Sequence, residues 1–181
     1  MAKSTERRAI DKVFILLGVM ATIALLGASA LGWIGYHFAT TNVRNELGAQ
    51  KVYFPPKGSA AFDPKEFPDI QKYAGQLVDN GPKAKAYANG FIGRHLEKVA
   101  GGKTYAEVST LAMKDPTNTA LQQQKATLFQ GETLRGLLLG DGYAYWTFGM
   151  LALYASVAAL AGAVVMLILV LLGLRHLRKL R

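Results

Sequence analysis

Gly142–Leu174, GYAYWTFGMLALYASVAALAGAVVMLILVLLGL, runs for 33 residues without Asp, Glu, Lys or Arg. A helix needs only about 20 apolar residues to cross the hydrocarbon core of a bilayer. Each central charge would cost roughly 2.5–3.5 kcal/mol there, so a run this clean reads as a span. A second charge-free run, Val13–Val43, covers 31 residues near the other end of the 181-residue chain. Together the two runs predict an all-α membrane protein: two transmembrane helices, at 13–38 and 143–174, flanking a small helical extracytoplasmic domain at 39–142.

Charge orients the arrangement. Residues 1–12 carry Lys3, Arg7, Arg8 and Lys12 against Glu6 and Asp11, a net +2, and the tail 175–181 carries Arg175, Arg178, Lys179 and Arg181 without an acid, +4. Basic flanks stay in the cytoplasm, so both termini are expected there, with 39–142 exported. The excess of base sits mainly at these flanks, which suit anionic lipid head groups. The lipid bilayer is the expected partner and no nucleic acid is expected. Cysteine is absent, removing disulfides and thiolate metal sites.

The first run imitates a cleavable signal, with a basic start and Ala28-Ser29-Ala30 as a cut site. The sequence stays apolar beyond that point through Leu31, Trp33, Ile34, Tyr36 and Phe38, which favours a retained anchor. Trp33, Tyr36 and His37 close the first run, and Tyr143, Tyr145 and Trp146 open the second. Antiparallel spans would place both groups in one interfacial aromatic belt. His37 reads as an interfacial ring rather than a metal ligand or pH sensor. Small residues recur at four-residue spacing: Ala24, Ala28 and Gly32 in the first span, and Ala155, Ala159 and Ala163, with Gly162 alongside, in the second. Such residues let helix backbones approach where lipid supplies no hydrophobic drive. They are the expected helix-packing positions. Neither run holds Asp, Glu, Lys or Arg, so proton relays and voltage sensors lack their usual charged residues.

Between the runs, Phe54-Pro55-Pro56-Lys57-Gly58 and Asp63-Pro64 mark 48–62 as a loop. Ile70, Tyr73, Ala74, Leu77 and Val78 repeat at helical spacing and predict a helix over 68–79. A second helix is expected over 83–99, with Ala84, Tyr87, Ala88, Phe91, Ile92, His95 and Val99 on its apolar face. Thr104-Tyr105-Ala106-Glu107 reads as a capping box opening a helix over 105–113. Asp115-Pro116 predicts an N-cap with proline at the first position of a helix over 116–139. Gly140-Asp141-Gly142 is expected to interrupt or bend that helix, and a short strand is allowed near Lys51–Phe54.

Chemistry is sparse. Gly102-Lys103-Thr104 resembles the end of a phosphate-binding loop, but Glu97 stands where the motif needs glycine and no strand precedes it. His95 is the only histidine between the runs and reads as a core or rim residue. Glu132 and Arg135, at i and i+3, read either as a contact for a partner or as a local helical pair. No catalytic residue, cofactor, metal site or small-molecule substrate is identified.

Phe54-Pro-Pro-Lys-Gly-Ser, Phe67-Pro-Asp-Ile-Gln-Lys-Tyr-Ala-Gly75, Ala100-Gly-Gly-Lys-Thr-Tyr105, Asp115-Pro-Thr-Asn118 and Gly131-Glu-Thr-Leu-Arg-Gly136 resemble a family of uncharacterised actinobacterial two-span membrane proteins. The resemblance covers most of the chain and implies a bacterial plasma-membrane location. Some members carry an aromatic ring-opening dioxygenase label. Such enzymes hold iron with two histidines and a carboxylate, and with His95 alone here the resemblance brings over no catalytic residue.

The expected function is therefore a non-enzymatic membrane component, either a homo-oligomer or an accessory subunit of a larger complex, making protein–protein contact through its helical domain. The alternatives are a homo-oligomeric gated channel, and a ligand-binding or sensory module in the outer domain. An apolar cavity in that domain would favour the last; a solid core would count against it.

Overall fold

The computed structural model describes residues 2–179, with side chains from Arg7. The side chains of Lys3 and Glu6, and Arg181, all counted in the basic tails, lie outside the described residues. The fold is all-helical, and among the described residues the only extended pairing is an isolated bridge between Tyr53 and Leu77. Two helical stretches, Arg7–Ala49 and Thr119–Lys179, are long and apolar enough to cross a membrane, with windows of mean hydropathy 2.3 and 2.9. The chain divides into two compact units, Met1–Phe38 with Gly149–Arg181, and Ala39–Phe148.

The first unit is an antiparallel pair, made from most of helix α1 (Ala2–Ala49) and most of α6 (Tyr145–Lys179). Its seam follows alternating three- and four-residue steps: Gly18, Thr22, Leu25, Ser29 and Gly32 on α1, and Gly149, Ala152, Ser156, Ala159, Ala163, Met166 and Val170 on α6, are buried or half-buried. That spacing is the heptad of a left-handed pair. A Cβ built on Gly32 would lie 2.8 Å from the Ala152 carbonyl oxygen and 3.0 Å from the Ser156 Cβ, so the two backbones touch there. Ser156 Oγ donates to the Ser29 carbonyl at 2.7 Å, and the two serine hydroxyls lie 3.2 Å apart. Thr22 donates back to the Gly18 carbonyl within its own helix.

This seam corrects the expected packing stripe. Gly32, Ala159, Gly162 and Ala163 lie on or beside it, but Ala24, Ala28 and Ala155 are exposed. A strict four-residue step advances about 40° beyond a full turn each time and drifts off the contact line, whereas alternating steps of three and four stay on it. Outward faces are apolar: Phe14, Ile23, Leu31, Leu151 and Leu160 are each about half exposed or more.

The second unit begins with the last turns of α1. The helix does not stop at residue 38 and does not yield to a loop at 48; it ends at Ala49, and Val43 and Leu47 are core residues. After it comes α2 (Gly81–Lys85), a π-helical segment Ala86–Gly93, α3 (Arg94–Ala100), α4 (Tyr105–Lys114), α5 (Thr119–Leu137) and a second π-helical segment, Leu138–Ala144, leading into α6. Gly140-Asp141-Gly142 thus lie within a continuous helical path and do not interrupt it.

Residues 68–79, expected as a helix, form turns with one short 3-10 turn at Gln71–Tyr73. Backbone pairing wins over helical periodicity here: Phe54 N–H donates to the Gln76 carbonyl (2.9 Å) and Val78 N–H to the Val52 carbonyl (2.8 Å). Gly75, at φ +70°, turns the chain into that pairing. The apolar residues that suggested a helix still go inward; Ile70 and Val78 are buried, and Tyr73 stacks on Phe54 at 5.3 Å. Phe54, Phe62, Phe67, Tyr87 and Phe91 complete an aromatic cluster with ring centroids 5.1–6.1 Å apart. This cluster fixes a segment that has little regular structure of its own, because each ring removes a large apolar area from water.

Caps set the helix limits beyond it. Gly101, at φ +57°, ends α3 in the left-handed conformation that glycine adopts without strain. Thr104 and Glu107 form the reciprocal capping box of α4: Thr104 N–H donates to the Glu107 carboxylate at 2.7 Å, and Glu107 N–H donates to Thr104 Oγ1 at 3.3 Å. The next cap differs from expectation. Asp115 closes α4, and Asn118 caps α5 by accepting from Leu121 N–H at 3.1 Å. Asn118→Ala is expected to destabilise the domain by about 1 kcal/mol, seen as a lower melting temperature in circular dichroism; an unchanged midpoint would contradict that cap.

Two carboxylates sit below their ordinary range: Asp69 through its bond to the Arg94 guanidinium (2.7 Å), and Glu107 through the Thr104 backbone and hydroxyl. Folded values lower than unfolded ones give stability that is complete above the ordinary carboxylate range and is lost as pH falls through the lowered values. Melting temperature is therefore expected to hold from neutral pH to about 5 and to fall below about 4. In Asp69→Asn, part of that acid-dependent loss should disappear.

Candidate binding groove

An apolar groove of about 580 Å³ lies within the second unit. One wall is the end of α1 and the residue that follows it, where Asn42, Glu46 and Gln50 stand at four-residue steps beside Val43 and Leu47. The facing wall is Leu134 and Leu137 of α5, Leu138 and Asp141 of the second π-helical segment, and Tyr145 at the start of α6. Val52, Tyr87 and Ile92 line the space between them. At 1.5 Å rise per residue these walls run roughly 12–16 Å. The volume falls in the range of about 300–1,000 Å³ typical of small-molecule sites.

Both π-helical segments contribute to this groove, the first through Tyr87 and Ile92, the second through Leu138 and Asp141. A π-turn inserts one residue into the helical path and rotates everything after it, a feature often found at functional sites. The rotation is visible past residue 93. The buried face continues through Leu96 and Ala100, one position on from His95 and Val99, so that His95, expected on the apolar face, is exposed. The rotation also puts Leu96 against Gly131 of α5.

The groove's carboxylate and amide side chains, Asn42, Glu46, Gln50 and Asp141, are all exposed. Glu46 and Asp141 are exposed, and neither enters an ion pair among the described residues, whose pairs are Lys83–Asp79, Arg94–Asp69, Lys98–Glu66 and Arg135–Glu132. Burial pushes the Tyr87 phenol above its ordinary value, so it stays a neutral hydroxyl at physiological pH. Leu134 and Leu137 keep 53% and 54% of their surface exposed, which leaves apolar area for a bound chain to cover.

The residues singled out in the sequence distribute differently. Glu132 and Arg135 form a local pair, with one guanidinium nitrogen 2.9 Å from each carboxylate oxygen, and Arg135 also donates to Asn89 Oδ1 at 3.2 Å. Arg135 thereby ties α5 to the first π-helical segment of its own domain. Gly102, Lys103 and Thr104 share a second cleft of about 730 Å³ with Glu132 and Arg135. Two bases there already face acids, Arg94 with Asp69 and Arg135 with Glu132, and the Thr104 hydroxyl is engaged in its cap.

Among the aromatic residues, Trp33, Tyr36 and His37 contact one another, with centroids 4.9–5.8 Å apart. Trp146 packs on the second unit's core, 2.5 Å from where a side chain on Gly81 would begin. Tyr143 accepts a hydrogen bond from Lys85 Nζ at 3.2 Å, and that ammonium lies 4.5 Å from its ring centroid. Tyr145 lines the groove.

Sequence reasoning missed the groove because its walls come from segments about ninety positions apart. The Asn42–Glu46–Gln50 stripe, polar beside the apolar Val43 and Leu47, was its one local signal. Among the described residues no group of three His, Asp or Glu side chains is placed to hold a metal ion. Comparison with protein-family models, with curated proteins and with solved structures gives no match.

Proposed function

We propose that this is a non-enzymatic two-pass membrane protein whose outer domain holds an apolar chain or segment in the groove between α1 and α5–α6. The groove's apolar walls carry this reading. In this arrangement both ends are cytoplasmic and Ala39–Phe148 lies outside a bacterial plasma membrane, in keeping with the basic flanks Arg7, Arg8, Lys12, Arg175, Arg178 and Lys179. The spans keep the domain at the bilayer surface, where apolar occupants are concentrated.

Native mass spectrometry of the protein released from its own membrane tests the reading. Wild type is expected to carry small apolar adducts, and Leu137→Trp, which fills the groove from an exposed position, is expected to lose them. Equal adducts on both proteins, or none on either, would argue against it.

A second reading, a homo-oligomer or accessory subunit, is favoured by a different surface. A Cβ on Gly136 or Gly140 would meet nothing within 4 Å, so this face of the outer domain is open to a neighbouring chain. Exposed Phe129 and Leu137 stand near it in the sequence. The same spectra report it as a discrete oligomer or a co-purifying chain.

A further inference from the structure

The groove's chemistry narrows its occupant, given that the groove is a binding site at all. Its interior is aliphatic and aromatic, and its volume of about 580 Å³ is that of a small-molecule pocket. A helix about 10–12 Å across demands a much larger trough, so the dimensions favour a single extended chain. The edges then decide the head group. Glu46 and Asp141 both line the groove, and among the described residues neither faces a base in an ion pair. Asn42, Gln50 and the hydroxyls of Tyr87 and Tyr145 are the other polar lining groups, and the lining residues include no Lys, Arg or His. An anionic head group would meet two uncompensated carboxylates and no cation. An ammonium would meet two partners. Asn42 and Tyr145 each lie four residues along the chain from the segments of the spanning pair, so a membrane-resident amphiphile is the source within reach.

We infer that the groove binds a single-chain amphiphile with an ammonium head group, taken from the bilayer, its chain against Val43, Leu47, Leu134 and Leu138 and its charge at Glu46 and Asp141.

The test uses the full chain in nanodiscs of neutral lipid, titrated calorimetrically with decyltrimethylammonium, decanoate and decanol, with empty nanodiscs subtracted. Saturable binding of the ammonium roughly tenfold tighter than the carboxylate is expected, the size of two partly screened charge contacts. In Glu46→Gln with Asp141→Asn that ratio should collapse to about threefold or less while decanol binding is kept, since only charge is removed. Leu137→Trp should weaken all three probes. Saturable binding with the carboxylate equal to or tighter than the ammonium would overturn the head-group assignment while leaving the groove as a site. Saturable binding by none of the probes would overturn the site itself. Efficient photocross-linking from position 137 to a second copy, unaffected by the amphiphiles, would overturn the inference in favour of a protein occupant.

Discussion

Phe62→Ala is expected to cost the groove-bearing domain about 3–5 kcal/mol, the usual penalty for deleting a fully buried aromatic ring. Phe62 is 0% exposed, and its ring meets Phe54, Phe67 and Phe91 at centroid distances of 6.1, 5.4 and 5.9 Å. Phe54 and Phe67 are themselves held by little regular structure, so the cavity removes the mutual support of the whole 50–79 segment. A fall of about 10 °C or more in the melting temperature follows for a domain of this size. Met113→Ala, at a side chain 64% exposed, is the control and should change stability by no more than about 0.5 kcal/mol. A Phe62→Ala midpoint within two or so degrees of wild type would show that the aromatic cluster is not what orders this segment.

Gly32→Leu is the second large effect. A Cβ at this position runs into the Ala152 carbonyl oxygen at 2.8 Å and the Ser156 backbone at 3.3 Å. Neither is the movable end of a side chain, so the helices must separate. Overpacking of this kind costs about 1–3 kcal/mol, and separation also breaks the Ser29–Ser156 hydrogen bonds, each worth roughly 0.6 kcal/mol in a membrane. The chain has no cysteine, so Ser29→Cys with Ser156→Cys provides a specific cross-link reporter. Oxidation should join the two spans efficiently in the otherwise native chain and several-fold less in the Gly32→Leu background. Gly27→Leu, where a Cβ meets nothing within 4 Å, should leave cross-linking unchanged. If Gly27→Leu and Gly32→Leu behave alike, the seam is misplaced.

The elements legible in the sequence were those whose cause is local. Charge-free runs marked the two apolar helices, Thr104 and Glu107 marked a cap, and Gly101-Gly102 marked a helix end. What depended on distant segments was hidden. The four-residue repeat of Ala24, Ala28 and Gly32 is genuine in the sequence, yet the helix pair selects the heptad line through Thr22, Ser29 and Gly32. Ile70 to Val78 has helical periodicity, but residues 52–55 compete for its backbone and win. The π-helical segments leave no pattern of their own beyond a change of phase, which is why His95 was assigned to the wrong face. The groove inherits all of this, since its walls depend on where α1 ends and on both phase changes.

On the proposed reading the protein passes the membrane twice and carries its groove-bearing domain on the outer side. Single-cysteine labelling tests it most directly, with exposed Lys57→Cys reporting on the domain and exposed Arg178→Cys on the carboxyl-terminal flank. In intact cells a membrane-impermeant maleimide is expected to label position 57 and to reach position 178 only after permeabilisation. Labelling of 178 with protection of 57, or recovery of the chain in the soluble fraction, would contradict the account.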